Sequence, residues 1–297
     1  MCFYTCGCCW VATLFPSLRS DWRIMAHPFN IYHILFHCHF FFFFPLSDYL
    51  VSSFIFLCSF AAECRHRMLS EFCSQLVAEF VGTFLLVLTI TLASVGVGAL
   101  APIPIGFMLA AMCFTFGYIS GAHFNPAISF SVFMNRKMTL RRTVMYMVVQ
   151  LAGSFCASLY ASAIIGLEIP APVANSDLSN TWQVLLCELV YTFALTSVVL
   201  HVCFSRQRSN DFYGFAIGMT LMAAGFSVGG FTGGAFNPAV ATGTQLVLCV
   251  YKNCDPLLYV WVYWIAPICG AFIASVVYQL LDTHESVPVI IGKEAVY

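Results

Sequence analysis

The chain has 297 residues, of which 61% are hydrophobic and only 8% are charged. Its mean hydropathy is +0.88, and soluble domains carry about 25% charged residues, so a soluble globular protein is excluded. The formal net charge of -1 gives no basis for a nucleic-acid partner.

Residues 1 to 67 differ in composition from everything that follows. They hold seven of the 15 cysteines and a run of five phenylalanines. Such Phe-, Leu-, Ser- and Pro-rich stretches are what a pyrimidine-rich untranslated message would encode, so we expect the native protein to begin at Met68. A disordered cytosolic tail and an extra anchoring helix are the alternatives. The Cys and His spacings fit no zinc pattern, so we expect no metal and no cofactor.

From Ser70 onward, several apolar segments are long enough to cross a bilayer. They show no alternating barrel pattern, and backbone polar groups in lipid must then be satisfied within helices. The predicted spans are Glu71 to Val95, Ile103 to Ile119, Arg141 to Ile165, Trp182 to Phe204, Phe212 to Val228 and Leu257 to Leu281.

Between these spans the tripeptide Asn-Pro-Ala occurs twice, 112 positions apart. The copies are Asn125-Pro126-Ala127 and Asn237-Pro238-Ala239. Asn is a favoured helix N-cap and Pro fits the first helical position, so each copy predicts the start of a helix. The two helices, to Met134 and Val247, have about ten residues and measure roughly 15 Å, half of a hydrocarbon core about 30 Å thick. Capping uses only the Asn oxygen, which leaves two N–H donors on each side chain.

The two halves of the chain resemble each other. Glu79 lies 46 residues before Asn125 in the sequence Ala-Glu-Phe-Val-Gly-Thr-Phe, and Glu188 lies 49 residues before Asn237 in Cys-Glu-Leu-Val-Tyr-Thr-Phe. This spacing indicates an internal duplication, with repeats at about residues 70–165 and 182–282. Each repeat contains three spans, an odd number, so the second repeat enters the membrane from the side opposite to the first. The two half-helices therefore enter from opposite faces and should meet at the midplane. The predicted fold is an all-α integral membrane protein, with six transmembrane helices and two re-entrant half-helices in an inverted repeat.

Lys and Arg are distributed unequally between the predicted faces. One face carries Arg136, Lys137, Arg141, Arg142, Arg206 and Arg208, and the other carries only Lys252. The positive-inside rule therefore predicts that both termini are cytosolic. Cys249 and Cys254 share the loop of Lys252 and are able to pair, although we expect two free thiols.

These motifs, together with Ser120-Gly-Ala-His123, resemble those of the aquaporin, or major intrinsic protein, family over roughly residues 70 to 282. The resemblance implies homotetramers with one pore per protomer, in a plasma or vacuolar membrane, and no enzymatic activity. It also implies that Glu79 and Glu188 hold the carbonyls and amides of the pore-lining loops. His123 is expected to tie a loop together rather than to line the pore.

One position departs from the family pattern. Three residues after the second Asn the family usually has Arg, within a narrow selectivity filter, whereas this chain has Val240. By offset from the motifs, the other filter positions are Ile105, Gly225 and Gly234, with Ala224 as a substitute if the loop has a deletion. We therefore expect a wide, apolar and uncharged filter. A fixed charge about 4 Å from an ion is worth up to roughly 4 kcal/mol at an effective dielectric of 20, so its loss weakens cation exclusion.

The sequence favours water as the primary substrate, with leakage of small neutral solutes. Glycerol-conducting members usually have an Asp soon after the second Asn-Pro-Ala motif, whereas Ala241 and Thr242 follow it here. The pair Tyr263-Trp264 resembles that of water-conducting members. A wide-filter channel mainly for glycerol, urea or ammonia is the alternative. A poorly conducting structural membrane protein is a further one.

Overall fold

The computed structural model describes residues 71–166, 169–174 and 177–281, and within these ranges the chain is helical apart from connecting loops. Short 3-10 turns at Gly98–Leu100 and Pro256–Tyr259 lead into two of the helices. The expectations for residues 1 to 67 lie outside the described residues. The helices are α1 Glu71–Gly96, α2 Pro102–Ser120, α3 Pro126–Met134, α4 Leu140–Ile165, α5 Thr181–Phe204, α6 Tyr213–Thr232, α7 Pro238–Tyr251 and α8 Val262–Leu281.

Six segments of the described chain are long and apolar enough to cross a membrane, which confirms the six predicted spans. Helix α6 was predicted to end at Val228 but continues to Thr232. Gly229 and Gly230 are therefore helical, and the helix ends only at Gly233, whose φ of 79° is left-handed. The glycine pair could not be distinguished from a loop by composition, because Gly is common in both loops and membrane helices.

The two halves pack into each other. Helix α1 packs against α2 and α4, and α5 packs in the same way against α6 and α8, while α2 and α6 join the halves. The half-helix α3 contacts α8 of the second half, and α7 contacts α4 of the first half. Each half-helix is thus held partly by spans of the other repeat.

Small residues allow α2 and α6 to approach closely. A Cβ added at Gly106 would lie 2.7 Å from the carbonyl oxygen of Gly218, and one added at Gly218 would lie 2.8 Å from the Cβ of Ala110. Membrane helices without a hydrophobic driving force between them associate through such close packing. The α2–α6 contact therefore depends on the absence of side chains at these positions.

One loop differs from its prediction. Cys249 and Cys254 are joined by a disulfide between the end of α7 and the turn that follows it, so the expected pair of free thiols is wrong. The two positions are five residues apart, and α7 extends four residues beyond its predicted end at Val247, to Tyr251. The longer helix places Cys249 inside its last turn, where the chain reverses and brings Cys254 back.

Gly218→Ala is expected to destabilise the fold, because the added methyl group would overlap the backbone of α2. Overpacking of this kind costs about 1–3 kcal/mol. Thermal unfolding of the purified protein in detergent measures the effect. Gly96→Ala is the matched control, since a Cβ at Gly96 would meet no atom within 4 Å. Equal melting temperatures for the two variants would contradict the close contact.

Candidate functional site: two pore loops and a central cavity

The loops before the two half-helices have the same backbone shape. Gly121 and Gly233 have φ values of 87° and 79°, and Phe124 and Phe236 have values of 49° and 47°. A positive φ is unfavourable for a residue with a side chain and persists only where the surrounding structure imposes it. Both loops are therefore held in their shape by contacts with other parts of the chain.

Glu79 holds the first loop. Its Oε1 accepts hydrogen bonds from the Ser120 hydroxyl at 2.6 Å and from the His123 N–H at 2.9 Å. Its Oε2 accepts from the Phe124 N–H at 2.7 Å and from the Gln150 amide at 2.8 Å. Glu79 is fully buried, and four donors offset much of the cost of placing a carboxylate in this interior.

Glu188 holds the second loop in the same way. Its Oε1 accepts from the Thr232 hydroxyl at 2.7 Å and from the Ala235 N–H at 3.1 Å, while its Oε2 accepts from the Phe236 N–H at 2.6 Å. A tyrosine hydroxyl braces each loop entrance, with Tyr263 donating to the Thr232 carbonyl at 2.7 Å. A carboxylate can only accept, so these residues bind loop amides and hydroxyls but not loop carbonyls.

The first loop has an additional polar network. Gln150 donates to the Ser129 hydroxyl at 3.0 Å as well as to Glu79, and Nδ1 of His123 lies 3.1 Å from the same hydroxyl. Counted from each motif and each bracing tyrosine, the corresponding residues of the second half are Ala235, Ala241 and Pro267. None of these three side chains can donate a hydrogen bond, so the two halves differ in polar cross-linking.

His123 contacts the first half-helix and also borders the central cavity. Its imidazole contacts Ser129 and lies edge-on to the Tyr146 ring, with 5.2 Å between the ring centroids. It also lines the central cavity. The contact with Ser129 agrees with the expectation that His123 ties the loop together, and its place relative to a conducting pore stays a prediction.

Asn125 and Asn237 lie at the junction of the half-helices. Each side-chain oxygen accepts the N–H of the Ala two residues later at 2.9 Å, which confirms both predicted N-caps. Each Nδ2 then donates across the junction, from Asn125 to the Phe236 carbonyl at 2.9 Å and from Asn237 to the Phe124 carbonyl at 2.8 Å. Hydrogen bonds within the described chain therefore use one of the two N–H groups on each Asn, not none as expected.

A cavity of about 510 Å³ runs along both loops and includes both Asn side chains in its wall. Ile105, Gly225, Gly234 and Val240 also line it, whereas Ala224 does not. The described residues of the wall carry no charged side chain; their polar side chains are Ser94, His123, Asn125 and Asn237. The structure thus brings the four positions assigned from motif offsets to the same cavity as the Asn pair.

Comparison with known proteins places this arrangement in a family. The sequence model of the family described as "Major intrinsic protein" matches residues 66–278, well over half of the chain. The chain belongs to the major intrinsic protein family. Its six spans, two half-helices and paired Asn-Pro-Ala motifs are therefore read as those of a multi-pass channel protein of this family.

Other members of the major intrinsic protein family cover most of the described region. Aquaporin AqpM of Methanothermobacter thermautotrophicus is 32% identical over an alignment 241 residues long, which covers 70% of this chain and 97% of that protein. A probable TIP-type aquaporin of Medicago truncatula is 32% identical over 71% of this chain and 89% of its own length. Among solved structures, the aquaglyceroporin from Plasmodium falciparum has the same fold, with a TM-score of 0.62 and 22% identity over 70% of this chain and 96% of that one.

Glu79→Gln is expected to destabilise the first loop, because the new amide group would face N–H donors in place of an acceptor. Leaving buried donors unsatisfied costs about 1–3 kcal/mol. Thermal unfolding in detergent measures the loss. Glu71→Gln is the control, since Glu71 is exposed and accepts only from Gln75 at 3.3 Å among the hydrogen bonds described. A melting temperature equal to that of this control would show that the carboxylate does not hold the loop.

Proposed function

We propose that the chain forms a passive membrane channel for water, with small neutral solutes as additional permeants. The observation that carries the proposal is the cavity of about 510 Å³ that contains both Asn side chains. These side chains cap two half-helices, α3 and α7, whose N-termini converge on the cavity. Nothing in such passage requires a covalent step, so the proposal needs no catalytic residue and no cofactor.

The Asn pair supplies the polar groups of the mechanism. The crossed hydrogen bonds fix both side-chain amides, and the second N–H of each remains to bind the oxygen of a passing water molecule. Each half-helix N-terminus carries the equivalent of about half a positive charge. The two together raise the energy of a cation or proton at the junction while a neutral molecule passes.

The proposed filter combines Ile105, Gly225, Gly234 and Val240, all of which line the cavity. Two of these residues have no side chain and two have branched apolar ones, so the filter offers no side-chain donor and no charge. Val240 is buried at 1% exposure and lines the cavity, so an Arg side chain at this position would project into the opening. Exclusion of cations then depends mainly on the Asn junction, and exclusion of neutral solutes depends only on the width of the filter.

A channel mainly for glycerol, urea or ammonia is the second candidate. The apolar and uncharged lining at Ile105, Gly225, Gly234 and Val240 favours it. A poorly conducting structural role has no observation in its favour and becomes one outcome of the flux measurement.

We further infer a homotetramer with both termini cytosolic. Large apolar side chains cover the outside of the spans, among them Phe107 at 55% and Phe215 at 50% exposure, which suits contacts with lipid and with other copies. The basic loop at Arg136 to Arg142 supports the orientation through the positive-inside rule. The Cys249–Cys254 disulfide supports it independently, because disulfides persist on the non-cytosolic side.

Stopped-flow shrinkage of proteoliposomes in sucrose tests water conduction, and subsequent uptake of glycerol or urea tests the solute range. Fast shrinkage with slow solute uptake would support a water-selective channel, and rapid uptake of both solutes would favour the second candidate. Tetramers with no flux above that of empty liposomes would contradict both and leave the structural role.

Val240→Arg is expected to narrow the filter and to lower glycerol and urea uptake by about tenfold, because the guanidinium would project into a wide apolar opening. Uptake into proteoliposomes measures the change. Val250→Arg is the control for the added charge, since Val250 is 69% exposed and does not line the cavity. Unchanged uptake in a correctly folded Val240→Arg protein would show that the filter has been assigned to the wrong position.

The orientation predicts where the disulfide can be reached. In sealed microsomes, a membrane-impermeant reductant should not reach the disulfide, so a membrane-impermeant maleimide should not label Cys249 or Cys254. Both reagents should reach the pair only after the membrane is permeabilised. The Cys249→Ser/Cys254→Ser double variant identifies the signal that belongs to this pair. Labelling before permeabilisation would place the loop on the cytosolic face and reverse the proposed topology.

A further inference from the structure

Helix α6 contains two glycines whose presence packing does not explain. Glycine is the least favourable residue in a helix interior apart from proline. At Gly218 and Gly225 a close neighbour gives a reason, since a Cβ at Gly225 would lie 3.1 Å from the Pro102 ring. At Gly229 and Gly230 an added Cβ would meet no atom within 4 Å.

The open space beside these two glycines belongs to the cavity. Gly229 and Gly230 both line it, in the last turn of α6 before the second pore loop. Along one stripe of α6 the wall has branched side chains at Ile217 and Leu221 and none at the next positions, Gly225 and Gly229, whereas Phe226 lines the cavity one turn before Gly230. A residue that is unfavourable in its own helix, and whose presence packing does not explain, is expected to serve the function of the protein.

A second observation indicates that something polar passes along this wall. Asn237 lines the same cavity, is only 4% exposed, and keeps one N–H beyond its bond to the Phe124 carbonyl. That N–H is a donor for an oxygen atom in the cavity. The described residues of the wall carry no charge, so the arrangement suits a neutral molecule that accepts a hydrogen bond.

We propose that Gly229 and Gly230 are specificity-determining residues, whose missing side chains keep the α6 wall wide enough for neutral polyols. This inference rests on the proposed channel function and identifies the class of its larger permeants. Gly225 and Gly234 cannot vary in the same way, because Pro102 crowds the first and the second has a φ of 62°. Gly229 and Gly230 are thus places where a side chain narrows the pore without strain in the fold.

The test compares Gly229→Leu and Gly230→Leu with the unaltered chain in proteoliposomes. Water permeability is measured by shrinkage in sucrose, and solute permeability by uptake of glycerol and erythritol. Because a Leu side chain would enter the open cavity, the ratio of glycerol to water permeability should fall by about fivefold or more, and that of erythritol further. Gly96→Leu is the matched control, since a Cβ at Gly96 also meets no atom within 4 Å but Gly96 does not line the cavity.

Gly229→Ala and Gly230→Ala distinguish a role in the pore from a role in folding. Alanine favours the helix, so these variants should melt no lower than the unaltered protein while their polyol uptake falls. Unchanged ratios in both Leu variants would overturn the proposal, as would an unaltered chain that conducts water but excludes glycerol. Absence of water flux in the unaltered chain would instead refute the proposed channel function, and this inference with it.

Discussion

The structure depends on two buried carboxylates that bind backbone amides of the two pore loops. Non-helical backbone at membrane depth leaves N–H groups that must find partners within the protein. Glu79 and Glu188 supply acceptors for two N–H groups in each pore loop, and for the hydroxyl at each loop entrance. With these donors satisfied, the left-handed residues Phe124 and Phe236 can be maintained. Their carbonyls then point to the junction, where the Asn side chains reach them.

The junction is a property of both halves together. Asn125 caps its own half-helix and binds the opposite loop, and Asn237 does the same in return. The orientation of each amide is therefore set by the carbonyl of the other repeat. This reciprocity explains why the half-helices also pack against spans of the opposite half. A change in one loop alters the geometry of both polar groups in the cavity.

The sequence predicted those parts of the structure that local patterns determine. The spans follow from continuous apolar length, and the half-helix starts follow from Asn and Pro at fixed positions. The network of Gln150, Ser129 and His123 could not be predicted, because it joins residues on α4 and α3 whose approach depends on tertiary packing. The crossed Asn bonds escaped prediction for the same reason. The last turn of α6 was missed because a Gly pair occurs in loops as well as in membrane helices, so composition did not place the end of the helix.

The unequal polar networks of the two loops imply a gradient of local stability along the pore. The first loop is tied by the carboxylate and by Gln150 and Ser129, whereas the second half has Ala and Pro at the matching positions. Segments with fewer buried cross-links open with a smaller free energy than the fold as a whole. Amide hydrogens of the second loop should thus exchange with solvent sooner than those of the first. The two repeats of a duplicated sequence have thus come to differ, with a more rigid first pore loop and a less rigid second one.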